Sequence, residues 1–438
     1  MITQTPVAER AASSSSDSTL KAGVRRFAVP IVLTVLVVAG WLFGPSALAH
    51  PTGGTPEGIH LEVGWDYLVM APVANVLDTL SLLTLDQHYA VLATLILVCG
   101  VWRLVRRRKR RGWLARAGIE LGVAALSLAG LLAFYAYGIL GLRPMGALVV
   151  EDGEVVVLDV HSHTDHSHDG RSGFDAEDRR EWHASAGFDA VYVSDHRTWQ
   201  GYAEGAALNP DRAGEGTVLL PALEIVFEGK YASALGESWR YRRAVDDNYL
   251  SADTLYRMLD RGVPRPTLVL TVPGGLDDVP SATPDSIGYV AIEVNDASPR
   301  GLQQSRRDRA KLLRMADSLD LAPVAASNNH GWGRTAAAWT LIRIPGWRSL
   351  SPQALGQAIE DRIHADRRDA TTVVERRSPY AGESRVALAM TAPAIAWQMF
   401  GGMGLAERLS WLAWTWVLAL SLAVAPQLRR RTEPVQGL

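Results

Sequence analysis

The sequence predicts an α/β barrel carried between membrane-spanning helices, and three observations lead to that class. Strand-like and helix-like runs alternate through the middle of the chain. Residues of metal-ligand type stand where four of those strands end, and α/β barrels hold their chemistry at that rim. Long uncharged runs cluster towards both ends, while most of the charge lies between them.

With 438 residues the chain has room for two or three domains, or for one large domain and membrane segments. The net charge of -2 conceals a split. Residues 151–383 carry 26 Lys+Arg against 36 Asp+Glu, so the middle is acidic and the flanks are basic. An acidic domain argues against a nucleic-acid partner, because phosphate backbones are bound by basic faces. The lone cysteine, Cys99, lies in an apolar run and allows neither an intrachain disulfide nor a Cys-based zinc site.

Residues 1–26 are rich in Ser, Thr and Ala without periodicity and read as a disordered cytoplasmic tail. Residues 27–49 are uncharged and long enough to span a bilayer. They end in Ala47-Leu48-Ala49, which also resembles a signal-peptide cleavage site, and either reading puts His50 outside. Residues 65–85 contain Asp66 and Asp78; a mid-span carboxylate costs ~2.5–3.5 kcal/mol, so this part is expected at the interface. Residues 87–105 read as a span with Arg103 near enough the end to snorkel. The unbroken basic run from Arg106 to Arg111 that follows belongs in the cytoplasm. Residues 121–142 return the chain outward. Near the C-terminus, 386–402 is short, holds Pro393 and reads as interfacial, whereas 409–428 reads as a span closed by Arg429, Arg430 and Arg431. The expected organisation is a tail (1–26), a membrane region with three spans (27–149), an extracytoplasmic barrel (150–380) and a C-terminal membrane region with one span (381–438), with both termini cytoplasmic.

Within the barrel, strands are expected at 155–160, 189–194, 217–221, 267–272, 289–294, 321–326 and 338–344, with helices such as 175–187 and 301–319 between them. The first strand runs into His161-Ser-His163. In extended chain, residues i and i+2 point the same way, so the two imidazoles make half of a metal site. Asp169-Gly170 closes the following turn. Asp195-His196 follow the second strand, Glu224 the third, and Asn328 and His330 the sixth. Other histidines have plainer readings: His166 and His168 as solvent-facing loop residues, His183 as a structural residue within a helix. Asp159 either orients an imidazole or caps a turn. Glu293, Asn295 and Asp296 line a pocket without touching metal.

Taken together and in order, His161-x-His163, Asp169-Gly170, Asp195-His196, Glu224 and Asn328-Asn-His330-Gly resemble the PHP (polymerase and histidinol phosphatase) domain, over roughly residues 155–345. The resemblance implies a distorted (β/α)7 barrel, up to three metal ions and phosphoesterase chemistry. One implied metal position takes His161, His163, Glu224 and Asn328, where the family has an Asp in place of the Asn. Another takes Asp169, His196 and His330. A third would need two further histidines, but Tyr231 and Val272 stand there, so one or two divalent ions (Zn, Mn or Fe) are expected. Asp195 and His330 are the expected catalytic residues. Of the basic residues near the strand ends (Arg171, Arg197, Lys230, Arg300 and Arg334), Arg197 and Arg334 are the expected phosphate contacts. A divalent metal lowers the pKa of bound water to ~7, which suits hydrolysis at neutral pH.

Two functions stay open on the sequence. One is a membrane-anchored hydrolase of PHP type, a phosphoesterase acting outside the cytoplasm on a small phosphorylated substrate. The other is a degenerate PHP domain that binds metal or ligand without turnover, favoured by Tyr231, Val272 and Asn328. An amidohydrolase ranks third, because no suitable bridging Lys and no final Asp are present.

Overall fold

Val155–Ser162 is apolar and β-branched over most of its length, and it forms a strand buried on both faces at the centre of a curled sheet. The computed structural model describes residues 27–105, 113–141, 143–237, 248–262, 265–272 and 288–432. The expected tail at 1–26, the basic run at 106–111 and the Pro273-Gly274 pair lie outside them.

In chain order the strands are β1 (Leu48–Ala49), β2 (Ile59–Glu62), β3 (Ala147–Val150), β4 (Val155–Ser162), β5 (Ala190–Val193), β6 (Val218–Phe227) and β7 (Lys230–Leu235). After them come β8 (Tyr249–Leu250), β9 (Thr267–Leu270), β10 (Tyr289–Asp296), β11 (Ala322–Ala326), β12 (Ala338–Arg343) and β13 (Thr371–Arg376). The main sheet runs β1-β13-β12-β4-β5-β6-β7-β9-β10-β11, with β8 beside β6, while β2 and β3 pair separately. The fold is therefore mixed α/β, a strongly curled half-barrel. It departs from a uniform parallel alternation, because β7 runs antiparallel between β6 and β9, and β12 is antiparallel to β4. The curl brings the loop after β11 against the end of β4: Asn328 N donates to His161 O at 2.9 Å and His163 N to Asn329 O at 3.1 Å.

Crossover helices cover the sheet. Ala176–Ser185 starts at Asp175, whose carboxylate accepts from the Glu177 and Asp178 amides, and it joins β4 to β5. The expected helix at 301–319 is two helices, Pro299–Arg307 and Arg309–Ser318, because the chain departs from helical geometry at Asp308. Two strands run past their expected ends. β6 extends to Phe227, so Glu224 lies within a strand, and β10 extends to Asp296. β13 falls at Thr371–Arg376, a stretch with no expected strand.

Among the described residues, two helices are long and apolar enough to cross a membrane, with spans at Leu85–Arg103 and Ala117–Leu140. The expected span at 27–49 is corrected. Its helix covers Phe27–Phe43 only, and Leu48–Ala49 pairs with β13, so this end of the segment is part of the sheet. Residues 409–428 lie in the helix Leu405–Thr432, and 386–402 falls in Arg385–Ala389 and Thr391–Gly402. The expected interfacial stretch 65–85 gives Trp65–Val69 and Ala71–Ser81. There Asp78 is buried against the barrel: Arg143 Nη1 donates to it at 2.5 Å, Thr335 Oγ1 at 2.6 Å and Tyr67 OH at 2.9 Å. Arg376 lies 3.6 Å from its other oxygen. A carboxylate with two guanidinium partners is sheltered by protein and need not face lipid.

Candidate metal centre

The pleat of β4 turns His161 and His163 to the same side, and both are fully buried. Their Nε2 atoms are 3.0 Å apart. Glu224, in the middle of β6, reaches across to them: its Oε2 lies 3.1 Å from His161 Nε2 and 3.2 Å from His163 Nε2. The same oxygen is 3.1 Å from His196 Nε2. Three imidazole nitrogens thus converge on one carboxylate oxygen. Asp169 approaches from the loop after β4, with Oδ2 3.6 Å from His196 Nε2 and Oδ1 3.5 Å from His330 Nδ1. Two groups have the spacing to hold a cation, His161–His163–Glu224 and His163–Asp169–His196.

The donor set suits a divalent ion. Neutral imidazole and carboxylate are ligands for Zn, Mn or Fe. His161 Nδ1 is 2.7 Å from Glu293 Oε1, an arrangement that fixes the tautomer and leaves Nε2 a lone pair for the cluster. Glu293 in turn accepts from Val272 N at 3.2 Å. His163 Nδ1 is buried without a hydrogen-bond partner, so that ring is held by packing and by its stack on His330, centroids 4.2 Å apart.

Electrostatics tie the cluster together. Burial opposes charge on His161, yet Glu224 and Glu293 on either side carry it well above the ordinary imidazole value. His163, equally buried and next to His330, is pushed down to about 3. His196 goes against its burial and rises to about 9, through Asp169 and Glu224. Burial would raise Glu224, but His161 above all holds it well below the usual carboxylate range. Burial raises Glu293 to about 7. The carboxylates facing His161 and His196 thus favour positive charge at the place where a cation would bind.

The structure brings His161, His163, Asp169, His196, Glu224 and His330 into one cluster, and it moves three expected residues out of their roles. Asn328 Oδ1 is 2.8 Å from His330 Nε2 and its Nδ2 donates to Asp296 at 3.1 Å, so Asn328 positions His330. Its backbone is left-handed (φ 39°), which an Asn tolerates. Asp195 turns away from the cluster. Its carboxylate accepts from Thr164 N and Thr164 Oγ1, each at 2.6 Å, because neighbours along extended chain face opposite ways and His196 takes the inward place. Arg334 donates to Ala297 O at 2.7 Å and Ser81 O at 2.8 Å, outside the cluster's cavity. Arg197, exposed and left-handed (φ 60°), does line that cavity.

The cavity, about 600 Å³, also exposes His168, Tyr231, Asn248 and Arg300. His168, expected in solvent, has its ring 4.8 Å from that of His196. Beneath the cluster, Asp159 accepts from the His161 and Ser327 amides at 3.2 and 3.0 Å, and its other oxygen is 2.8 Å from His183 Nε2. This ties β4 to the loop after β11, so His183 has the structural place expected of it. The signal for Glu293 was a carboxylate at a strand end; nothing local tied it to His161, 132 positions earlier.

No protein-family model and no curated protein matches the sequence. Among solved structures, the chain is similar to PsfC from Pseudomonas syringae at 18% identity and a TM-score of 0.36, covering 56% of this chain and 98% of that one. It is similar to a protein from Bifidobacterium adolescentis, provisionally described as a metal-dependent phosphoesterase, at 15% identity and a TM-score of 0.29, covering 46% and 95%. It is also similar to an amidohydrolase from Chromobacterium violaceum with bound sulfate and no metal, at 13% identity and a TM-score of 0.27, covering 44% and 98%.

Proposed function

We propose that this chain is a membrane-anchored, metal-dependent phosphoesterase of PHP type. The observation that carries it is the convergence of His161, His163 and His196 on Glu224 Oε2, all within 3.2 Å, with Asp169 beside them. Opposing requirements explain the arrangement: three imidazoles and several carboxylates buried together need positive charge between them. One or two divalent cations held by His161, His163, Glu224, Asp169 and His196 would supply Lewis acidity, acidifying water and neutralising phosphate charge.

The chain's own residues do the rest. Glu293 fixes the His161 ring, and Asn328 fixes His330. Arg300 and Arg197 bring guanidinium groups to the cavity wall, where a phosphate oxygen would be bound. His168, exposed on the same wall, is placed to pass a proton to the leaving oxygen. In the reaction, water forms a new bond to phosphorus, the ester P–O bond breaks, and the water proton ends on the released alcohol. The basic run at 106–111 supports placing the cavity on the outer side of the membrane.

The test uses the full chain in detergent, stripped of metal and then supplied with Zn, Mn or Fe, on an aryl phosphate. Metal-dependent release of phosphate, lost on chelation and restored by metal, is expected. Bound metal without hydrolysis under all three ions would favour the second reading, a binding module. That reading draws support from Asn328, whose oxygen is committed to His330, and from Val272, which offers only its backbone amide, to Glu293.

A further inference from the structure

The cluster's cavity has a neighbour. On the helix side of the same rim lies a second cavity of about 390 Å³, lined by Leu77, Leu83, Leu85, Tyr89, Pro299 and Trp332 among others. The start of the helix Pro299–Arg307 and the loop after β11 line both cavities and form the wall between them. After β10, Ser298 and Arg300 line the polar cavity and Pro299 lines the second. After β11, Asn328 and His330 line the polar cavity, and Trp332 and Arg334 the second.

Backbone contacts seat this wall on the helices. Gly333 N donates to Ile139 O at 2.7 Å, and Arg171 Nη1 donates to Leu140 O at 2.6 Å. The rim that bears the imidazoles therefore rests on the end of the apolar helix Trp113–Leu140. Polar groups in the second cavity are already engaged. His88 Nδ1 is 3.1 Å from Tyr135 OH, Ser81 Oγ donates to Leu77 O at 2.9 Å, and Arg334 is held by Ala297 O and Ser81 O. Most of what remains to be covered there is hydrocarbon.

We infer that the substrate is an amphiphile, a phosphate monoester carried on a long hydrocarbon chain. Its phosphate sits among His196, His330 and Arg300, and its chain crosses the loop wall into the second cavity. This rests on the phosphoesterase reading above and adds the class of alcohol released. Polarity selects this occupant over an apolar protein segment: Arg197, Arg300, His196 and His330 line one cavity, while the other is mostly apolar and its Arg334 is held by backbone carbonyls. Beyond the cavity, the helix Leu85–Val105 exposes Leu92, Leu95 and Ile96, which suit a surrounding of lipid from which such a chain would enter. Hydrolysis breaks the bond between phosphorus and the lipid oxygen, water supplies the new oxygen on phosphorus, and the lipid alcohol takes the proton.

Full-length protein in mixed micelles with Mn would be given dioleoyl phosphatidic acid, a polyprenyl phosphate, or glycerol 3-phosphate, which has a headgroup and no chain. A preference in kcat/KM of at least about tenfold for a chain-bearing ester is expected, since each buried methylene adds ~0.8 kcal/mol and a decade needs ~1.4. The two lipids distinguish an acyl from an isoprenoid source. Leu85→Trp narrows the second cavity and should lower the lipid-to-glycerol-phosphate ratio, whereas Leu92→Trp on the same helix, outside the cavity, should not. Equal rates with and without a chain, or a ratio untouched by Leu85→Trp, would overturn the inference while leaving the phosphoesterase intact. If no ester is cleaved, the phosphoesterase reading fails, and the chain site is judged by photolabelling. A diacyl phosphonate with a diazirine in one chain should then label the peptides bearing Leu85 and Trp332, and displacement by phosphatidic acid is expected. Label scattered evenly over the apolar helices would sink the proposal.

Discussion

Two buried polar clusters in this molecule differ in how their charge is balanced. Around Asp78, opposite charges close on themselves: Arg143 and Arg376 face one carboxylate, with Thr335 and Tyr67 completing its hydrogen bonds. Around Glu224, acceptors and lone pairs face one another, and three imidazole nitrogens crowd one oxygen. Arg376 comes from β13, Arg143 from the segment before β3 and Asp78 from a preceding helix, so the first cluster fastens separate parts of the fold. The second is assembled from β4, β6 and the loops after β4, β5 and β11, and its donor set suits a cation. Buried charge that neutralises itself fastens the fold, whereas the donor set around Glu224 is of a kind that holds a cation.

Substitutions should separate the two. Glu224→Gln should abolish metal retention and lower hydrolysis by ~10³-fold or more, since a metal contributes several kcal/mol to the barrier at ~1.36 kcal/mol per decade. Metal content by mass spectrometry, with unfolding followed in parallel, checks it; a variant that keeps metal and activity would remove Glu224 from the centre. Asp78→Asn should do the reverse. It strands two buried guanidinium groups and should cost about 3–5 kcal/mol of stability. Metal stoichiometry should stay at the wild-type value in the protein that remains folded.

Glu293→Gln tests the support of the centre. Losing the carboxylate behind His161 should weaken metal binding by ~10–100-fold, measurable by competition with a chelator. An unchanged affinity would mean that the 2.7 Å contact does not tune His161.

The smallest effect concerns a buried carboxylate with no cation acting on it among the described residues. Burial pushes Glu360, beside Tyr192 OH, up to about 7. A folded-state pKa above the unfolded value of 4.5 means that ionisation penalises the fold. The penalty is absent below the unfolded value, builds as pH rises to about 7, and is constant above. Glu360→Gln should therefore stabilise by roughly 1–3 kcal/mol at pH 8 and by nothing near pH 4, read as the difference in thermal midpoints.

Much of the cluster was legible in the sequence. His161-x-His163 at the end of an apolar run has a fixed consequence, because the pleat sends i and i+2 to one side. The same alternation applies to Asp195-His196: only one of two adjacent residues can face inward, and Asp195 faces Thr164. Glu224, expected at a strand end, lies inside β6, because the apolar run continues through Phe227 and hides the boundary. Arg334 carried the right charge, but its direction depends on where the helix end at Ser81 lies. Leu48–Ala49 read as the end of a span; its pairing with Arg376 and Glu375 is contact across more than three hundred residues.

By itself the sequence determined the alternation of buried runs, the charge-free segments and the residue types able to hold a cation, since these follow from local periodicity and side-chain chemistry. Tertiary structure decided which of those residues meet. Asn328 serves His330, Glu293 braces His161, and the imidazole rim is seated on Ile139 and Leu140. The physical reason is distance along the chain: each of these long-range contacts depends on the curl of the sheet and the docking of the helices, which no local pattern encodes.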